Sequence, residues 1–334
     1  MSIIELNNSN KDAWNDFVRG ACGGTFFHLA EWKDILERAF KFQTFYFMEE
    51  EGGAVKGVLP LALVNRPVFG PALISTPLCV YGGGLGSTLN LEEAAKKKAE
   101  EIGVEYLELR GGEENKTQVS DRFFTFRRAL SDNHEENLKA IPRKQRAEVR
   151  KGIAANLETT VGQDIDLFYK LYSTSVRNLG TPVFPKKYLK LLVEVFGGAV
   201  EITSIFHEGQ ALTSVLSFKY KDQILPYYGG GLPVARKHSA YPYMYWKVME
   251  NAVNDGLRFF DFGRSMKGSG AYAFKKNFGF EPEALPYHYH LVKSSEIPDM
   301  DPDTPRNKLI TSVWKKMPLP VANMVGPVLY PVIV

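Results

Sequence analysis

Cysteine is scarce: Cys22 and Cys79 are the only two in 334 residues, far apart and outside any CxxC pair. That excludes a disulfide scaffold and a cysteine-rich zinc site, and it points to a reducing compartment. Both cysteines lie in apolar contexts and read as packing residues. An excess of one charge is lacking as well. With 41 basic against 38 acidic side chains the formal net charge is only +3, too little to coat a nucleic acid. An electrostatic partner must then be met by a local patch. The opening stretch, MSIIELNNSNKDAW, has no basic-then-apolar leader, so a cytoplasmic setting is expected. His288 and His290 share a strand face, but no local carboxylate or cysteine completes a metal site around them. GxSxG, HExxH and phosphate-loop signatures are all missing, which removes the commonest hydrolase and nucleotide-binding readings. What is present is an ordinary globular composition, 44% hydrophobic and 24% charged, over a length that favours two domains.

Three blocks recur in the same order. Glu51-Gly52-Gly53-Ala54-Val55 through Leu59 resembles Glu208-Gly209-Gln210-Ala211-Leu212 through Leu216, each reading as a hairpin turn entering a strand. Tyr81-Gly82-Gly83-Gly84-Leu85 returns as Tyr228-Gly229-Gly230-Gly231-Leu232, and Ile102 to Leu109 returns as Asp255 to Phe262. The offsets are 157, 147 and 153 residues. Three collinear blocks predict two copies of one α/β unit. Each copy should hold helices, a hairpin, a glycine-ended strand, a long helix and a further strand. The hairpins are expected near 44–64 and 200–220, with helices over 91–102, 165–177, 186–196 and 241–255.

Between the copies, KAIPRKQRAEVRK (residues 139–151) has six basic residues and one acid. Arg143, Arg146 and Arg150 fall at i, i+3 and i+7, so one helix face carries three guanidiniums. That face is either a solvated surface or a phosphate-binding ridge at the domain junction. The tail changes character. Asp299–Pro305 is acidic and proline-rich, and residues 317–334 carry no charge but are interrupted by Pro318, Pro320, Pro327 and Pro331. Four prolines argue against a membrane span, leaving a packed tail or an interfacial segment helped by Lys315 and Lys316 beside Trp314.

The second copy collects the side chains suited to chemistry. Arg177 closes a helix before a turn-rich loop, and Tyr227 and Tyr228 end a strand before three glycines where backbone can approach a ligand. Asp261-Phe-Gly-Arg264-Ser follows the last strand. A glycine-bounded helix comes next, in which Phe274 and Phe278 face the core and Lys275 and Lys276 are expected on the rim.

The strings FFHLAEWKDIL, SVRNLGTPVFPKKYLKLL, YYGGG and above all FDFGRSMKGSGAYAFKKNFGF resemble the FemAB-type aminoacyl/peptidyltransferases over roughly residues 26–291. With the tail WKKMPLPVANMVGPVLYP, the resemblance is closest to the FemAB-like branch found beside exosortase and exopolysaccharide loci. It implies an α/β fold of two tandem GCN5-related acyltransferase domains with mixed sheets flanked by helices. The divisions expected are 1–138, a basic connecting helix 139–155, a site-bearing domain 156–295 and the tail 296–334. It also implies acyl or aminoacyl transfer to an amine of a cell-envelope or polysaccharide precursor, nucleotide- or lipid-linked. On this resemblance Arg177 and Tyr228 match precursor contacts, while Phe274 and Lys275 match the pair beside the acyl donor. Asp261 and Arg264 would help bind substrate. Lys275 would stabilise the oxyanion formed when an amine attacks an ester carbonyl. Arg143, Arg146 and Arg150 would meet phosphates of tRNA or another carrier.

Two departures bear on the donor. The Q/R-x-x-G-x-G/A loop of acetyl-CoA-dependent relatives is absent from GGGLGSTLNLEEA and GGGLPVARKHSAYPYMYW, so acetyl-CoA is not expected. The coiled-coil arm of some cell-wall relatives is absent too, which leaves aminoacyl-tRNA and other activated acyl carriers both open. A CoA-dependent N-acyltransferase and a non-catalytic precursor-binding scaffold are the alternatives.

Overall fold

Both hairpins turn through two residues with positive φ: Gly52 (+58°) and Gly53 (+80°) in one, Glu208 (+49°) and Gly209 (+74°) in the other. Such a turn matches the right-handed twist of the strands it joins. Each hairpin also has a bulge two residues before its turn, at Glu49/Glu50 and at Ile205/Phe206. The shared irregularity supports duplication more strongly than the shared letters do.

This computed structural model describes residues 1–67, 69–111, 119–120, 122–297 and 304–333. The chain divides into one unit of residues 1–121, 285–300 and 329–334 and another of 122–284 and 301–328.

The first unit holds β1 (Ser2–Glu5), α1 (Lys11–Gly20), α2 (Glu31–Phe40), β2 (Gln43–Glu51), β3 (Ala54–Arg66) and β4 (Gly70–Ser75). Then come β5 (Leu85–Gly86), α3 (Leu89–Ile102), β6 (Tyr106–Arg110) and β7 (Val119–Ser120), with β17 (Tyr287–Leu291) returning from far along the chain. The sheet order is β1-β2-β3-β4-β6-β17-β7, and only β4 and β6 run parallel. Alternation along the strands sends Phe45, Leu59, Leu61 and Leu107 to one face, against Leu91, Ala95 and Ala99 of α3. Tyr81–Gly84 lies outside any strand here, because β4 has already ended at Ser75. The glycine-ended strand expected of this copy is therefore not formed.

The second unit begins with β8 (Phe123–Thr125) and β9 (Arg127–Ala129), then α4 (His134–Ala140), α5 (Arg143–Ala154) and β10 (Glu158–Gly162). It continues with α6 (Ile165–Leu179), α7 (Lys186–Phe196), β11 (Val200–His207), β12 (Gln210–Tyr220) and β13 (Gln223–Gly231). After these come α8 (Ala240–Asn254), β14 (Phe259–Asp261), β15 (Ser265–Met266), α9 (Gly270–Asn277) and β16 (Glu283–Ala284). The last two helices are α10 (Pro305–Lys316) and α11 (Leu319–Ile333). Sheet order is β10-β11-β12-β13-β14-β9, with β15-β8-β16 as a separate three-stranded sheet. The parallel pair β13–β14 is joined only at Gln223↔Phe259 and Ile224↔Phe260, so the two strands part immediately afterwards. The candidate site forms at the end of β14, beside the segment that joins β8 and β9.

Three boundaries differ from those read off the sequence. Residues 122–138, expected in the first domain, belong to the second unit as β8, β9 and the start of α4, with β9 pairing β14 through Arg127↔Asp261. Helix α5 is no connector between domains. Val149 is buried in the second core, and a Cβ on Gly152 would sit 2.5 Å from the Cβ of Tyr243, which fixes α5 close against α8. Residues 285–295, expected in the second domain, return to the first unit as β17.

The tail differs as well. Residues 299–303 of the acidic, proline-rich stretch lie outside the described residues. Helix α11 runs on through Pro327 and Pro331 rather than stopping. The lost amide donors fall on the carbonyls of residues 323 and 327, one turn apart on the same side, so the remaining ladder is intact. Among the described residues no helix is long and apolar enough to cross a membrane. Cys79 is buried, whereas Cys22 is exposed and does not pack as expected.

Candidate active site

Asp261 ends β14, and its carboxylate closes the turn that follows. Oδ1 accepts from the Gly263 amide at 2.7 Å and from Thr125 Oγ1 at 3.1 Å. Gly263 stands at φ +65°, a conformation a side chain would strain. The turn's carbonyls thereby face α9, where Lys275 Nζ donates to Gly263 O at 2.9 Å and to Arg264 O at 3.1 Å. Helix α9 is fixed at its start by Ser269, whose Oγ accepts from the Tyr272 amide at 3.2 Å, and at its end by buried Phe278.

Lys275 is only 8% exposed, so the expected rim position is wrong. Lys276 is the exposed member of the pair. Lys275 lies one residue from Phe274 and three from Phe278, close enough to the apolar face to be covered when the 262–265 turn folds over α9. The ring of Phe126 lies 5.5 Å from its Nζ. Burial pushes the amine down to about 7, against the raising effect of the Asp261 carboxylate and with the Arg264 guanidinium lowering it further. Near neutrality both protonation states are populated, which is unusual for lysine. A neutral amine has two N–H donors and one lone pair. The two carbonyls match the two donors and leave the lone pair for a proton. In the ammonium form, a third N–H is left to donate. The group is thus suited to take a proton from an attacking amine or to donate to a developing oxyanion.

The other expected site residues fall into separate places. Arg264 is exposed, with its guanidinium 4.6 Å from the ring centre of Phe123. Phe274 is half-buried against Tyr245, Phe262 and Phe278 at ring distances of 5.4, 6.3 and 5.6 Å. Asp261, Arg264, Phe274 and Lys275 therefore form one cluster. Tyr228 belongs to another, buried, with Oη 2.9 Å from Tyr188 Oη and its ring 4.7 Å from Phe184. Arg177 is half-buried at the end of α6, and its Nη1 donates to Lys315 O at 3.4 Å. The glycines after Tyr228 serve close packing. A Cβ on Gly230 would lie 2.6 Å from Tyr172 Cα, and one on Gly231 would lie 2.6 Å from Leu212 O. Side-chain room at these positions is taken by neighbouring elements, which corrects the expectation of a backbone open to ligand.

On α5, Arg143 and Arg150 are exposed, while Arg146 Nη1 donates to Lys139 O at 2.9 Å. The helix is pinned to the start of α8 by Glu148 Oε2, which accepts from Ser239 Oγ at 2.6 Å. Glu148 lies on roughly the opposite side of α5 from the three arginines, so the bond leaves Arg143 and Arg150 facing outward. The ridge so formed belongs wholly to the second unit.

Sequence reasoning missed Thr125 and Phe126, which wall the site from a segment expected in the other domain. The alternating run Phe124-Thr-Phe126 was the available signal for a strand. The first unit offers an instructive contrast. Glu108, the counterpart of Asp261 in the repeat, is buried and bound by Arg110 Nε at 2.8 Å and Tyr289 Oη at 3.1 Å. Arg110 Nη1 also donates to Thr76 O at 3.1 Å and Cys79 O at 2.6 Å. In the first copy the position equivalent to Asp261 is thus held by a buried ion pair.

Residues 139–276 match the acetyltransferase (GNAT) domain family. That stretch runs from the basic segment through α5 and strands β10 to β14 to Lys275, so the second unit carries an acyltransferase domain of the GNAT type. Among solved structures, FemX is similar at 14% identity and a TM-score of 0.66, over 88% of this chain and 98% of that one. L-PGS from Bacillus licheniformis is similar at 13% identity and 0.57, over 94% and 98%. A tandem GNAT protein from the clavulanic acid biosynthesis pathway is similar at 13% identity and 0.55, over 88% and 99%. At these identities the likeness is one of fold. No curated protein matches the chain.

Proposed function

We propose that this protein transfers an acyl or aminoacyl group to an amine of a cell-envelope or exopolysaccharide precursor, forming an amide on the precursor beside Lys275 as the donor's acyl–carrier bond breaks and the freed carrier leaves with a proton. The observation that carries the reading is the buried, near-neutral amine of Lys275 held by two carbonyls of the turn that follows β14. An amine nucleophile must lose a proton as it attacks, and the carbonyl oxygen gains charge as it does. Lys275 is placed to serve both needs in its two protonation states. Phe274 would flank the donor end, and Arg264 and Asp261 would orient substrate or hold the turn that presents it. Tyr228, set among aromatic rings, and Arg177, at the end of α6, would contribute to precursor binding.

The donor in this reading is an activated acyl carrier such as aminoacyl-tRNA rather than acetyl-CoA. Support comes from the basic ridge of Arg143, Arg146 and Arg150 beside α8 and from the start of that helix. There Pro242 removes an amide that a pyrophosphate would use. FemX and L-PGS, similar in fold, favour aminoacyl chemistry. The FemAB-like resemblance and the tail string favour the exosortase-associated branch and the cytoplasmic face of the membrane. Mass spectrometry of ligands that co-purify with the protein tests the reading. A nucleotide- or lipid-linked precursor, or tRNA, is expected; a CoA ester would replace it with CoA-dependent N-acylation.

A further inference from the structure

Helices α10 and α11 each bury one stripe and show the other. On α10, Trp314 is buried, and Thr311 packs so closely on Gly180 that a Cβ there would meet its Cγ2 at 2.4 Å. On α11, Ala322 is buried, Asn323 Nδ2 donates to Ser173 Oγ at 3.4 Å, and Gly326 lies against Val183. Trp314 is thus not the interfacial side chain the sequence suggests.

The opposite faces are apolar, where a surface helix is ordinarily polar. Leu309 and Val313 of α10 are 66% and 57% exposed, and Met324 and Val328 of α11 are 69% and 72% exposed. Ile310 and Val321 are exposed beside them, and Leu179 is exposed next to Gly180. Seven of the thirteen exposed large hydrophobic side chains among the described residues lie between 309 and 329. Leu309, Val313 and Lys316 fall at i, i+4 and i+7, and Val321, Met324 and Val328 at i, i+3 and i+7, so each set forms a stripe.

Along α10 and α11 themselves every charged residue is basic. From Thr304 to Val334 there is no Asp or Glu, while Arg306, Lys308, Lys315 and Lys316 are present. Lys315 and Lys316 are exposed at the end of α10. Lysine stems can lie along apolar surface while their heads reach outward. Apolar side chains suit the acyl region of a bilayer, and cations at their border suit anionic headgroups. Helix α11 is too short to span, so it would lie in the plane of the interface.

We propose that the exposed face of α10 and α11 docks on an anionic lipid surface. The occupant is chosen by charge complementarity: a purely apolar partner face would not require the complete absence of acid over these residues. The proposal does not depend on the acyl-transfer reading, since vesicle binding needs no substrate.

Co-sedimentation of the full chain with vesicles of phosphatidylcholine alone, and of phosphatidylcholine mixed with phosphatidylglycerol, is the test. Sedimentation is expected only with the mixed vesicles, reversed by salt. Lys315→Glu and Lys316→Glu should weaken it about fivefold or more each. Leu309→Ser with Val313→Ser should abolish it while leaving the melting temperature intact. If that double variant fails to fold, the exposed lysine variants decide alone. Equal binding to both vesicle types, or no binding, overturns the proposal. So does a concentration-dependent dimer lost in Leu309→Ser, which would assign the stripe to a second copy of the chain.

Discussion

Replacing Lys275 by Met asks whether the amine is held as described. Lowering it from 10.5 to about 7 is equivalent to about 5 kcal/mol of unfavourable burial of the charged form. Below about pH 7 the amine is protonated in both folded and unfolded chains, and the whole penalty is present. As pH rises toward 10.5 the folded amine is neutral while the unfolded one keeps its proton. Unfolding then takes up a proton, and stability grows by up to about 1.4 kcal/mol per pH unit. Methionine has no charge to bury, but it leaves the Gly263 and Arg264 carbonyls without their donor, at about 1–3 kcal/mol independent of pH. Wild type should therefore gain on Lys275→Met by about 2 kcal/mol between about pH 7 and about pH 9. At about pH 6 the variant should be as stable as wild type or more so. Chemical denaturation of both proteins across this range reads the difference directly. Parallel stability curves would refute a buried, titrating Lys275.

Asp261→Asn removes the charge that raises the Lys275 amine, so the titration of Lys275 should move to lower pH, readable by NMR of its side chain. Gly230→Ala places a methyl 2.6 Å from Tyr172 Cα, a backbone atom that cannot step aside, and should cost about 1–3 kcal/mol in denaturant titration. Arg143→Glu with Arg150→Glu reverses two exposed charges on the α5 ridge. It should weaken tRNA or polyanion binding, with a shallower salt dependence, while leaving stability within about 0.5 kcal/mol.

Local signals in the sequence were strong wherever the structure is local. The 186–196 helix has the expected bounds, and the hairpins and the two long helices lie within about three residues of theirs. Positive-φ turn residues and helical periodicity act over short spans and leave their mark in order. What was illegible depended on distant chain. The alternating run at 124–126 is a strand signal, but nothing near it says that residues 123–129 pair with β14 and β15 rather than with the preceding sheet. Lys275 reads as a rim lysine because its cover, the 262–265 turn, is set by Asp261 bonding to Gly263 and Thr125. The glycines after Tyr228 announce close approach, yet the approaching group is α6, which only packing decides.

If Lys275 assists attack of the precursor's amine on the donor carbonyl, its loss must stop acyl transfer. The most direct test is to incubate the protein with aminoacylated tRNA or another activated acyl carrier and amine-bearing envelope precursors, and to follow amide products by mass spectrometry. Wild type should yield an amide-linked product, and Lys275→Met, folded by denaturation criteria, should yield little or none. Equal yield from the two proteins would contradict the account.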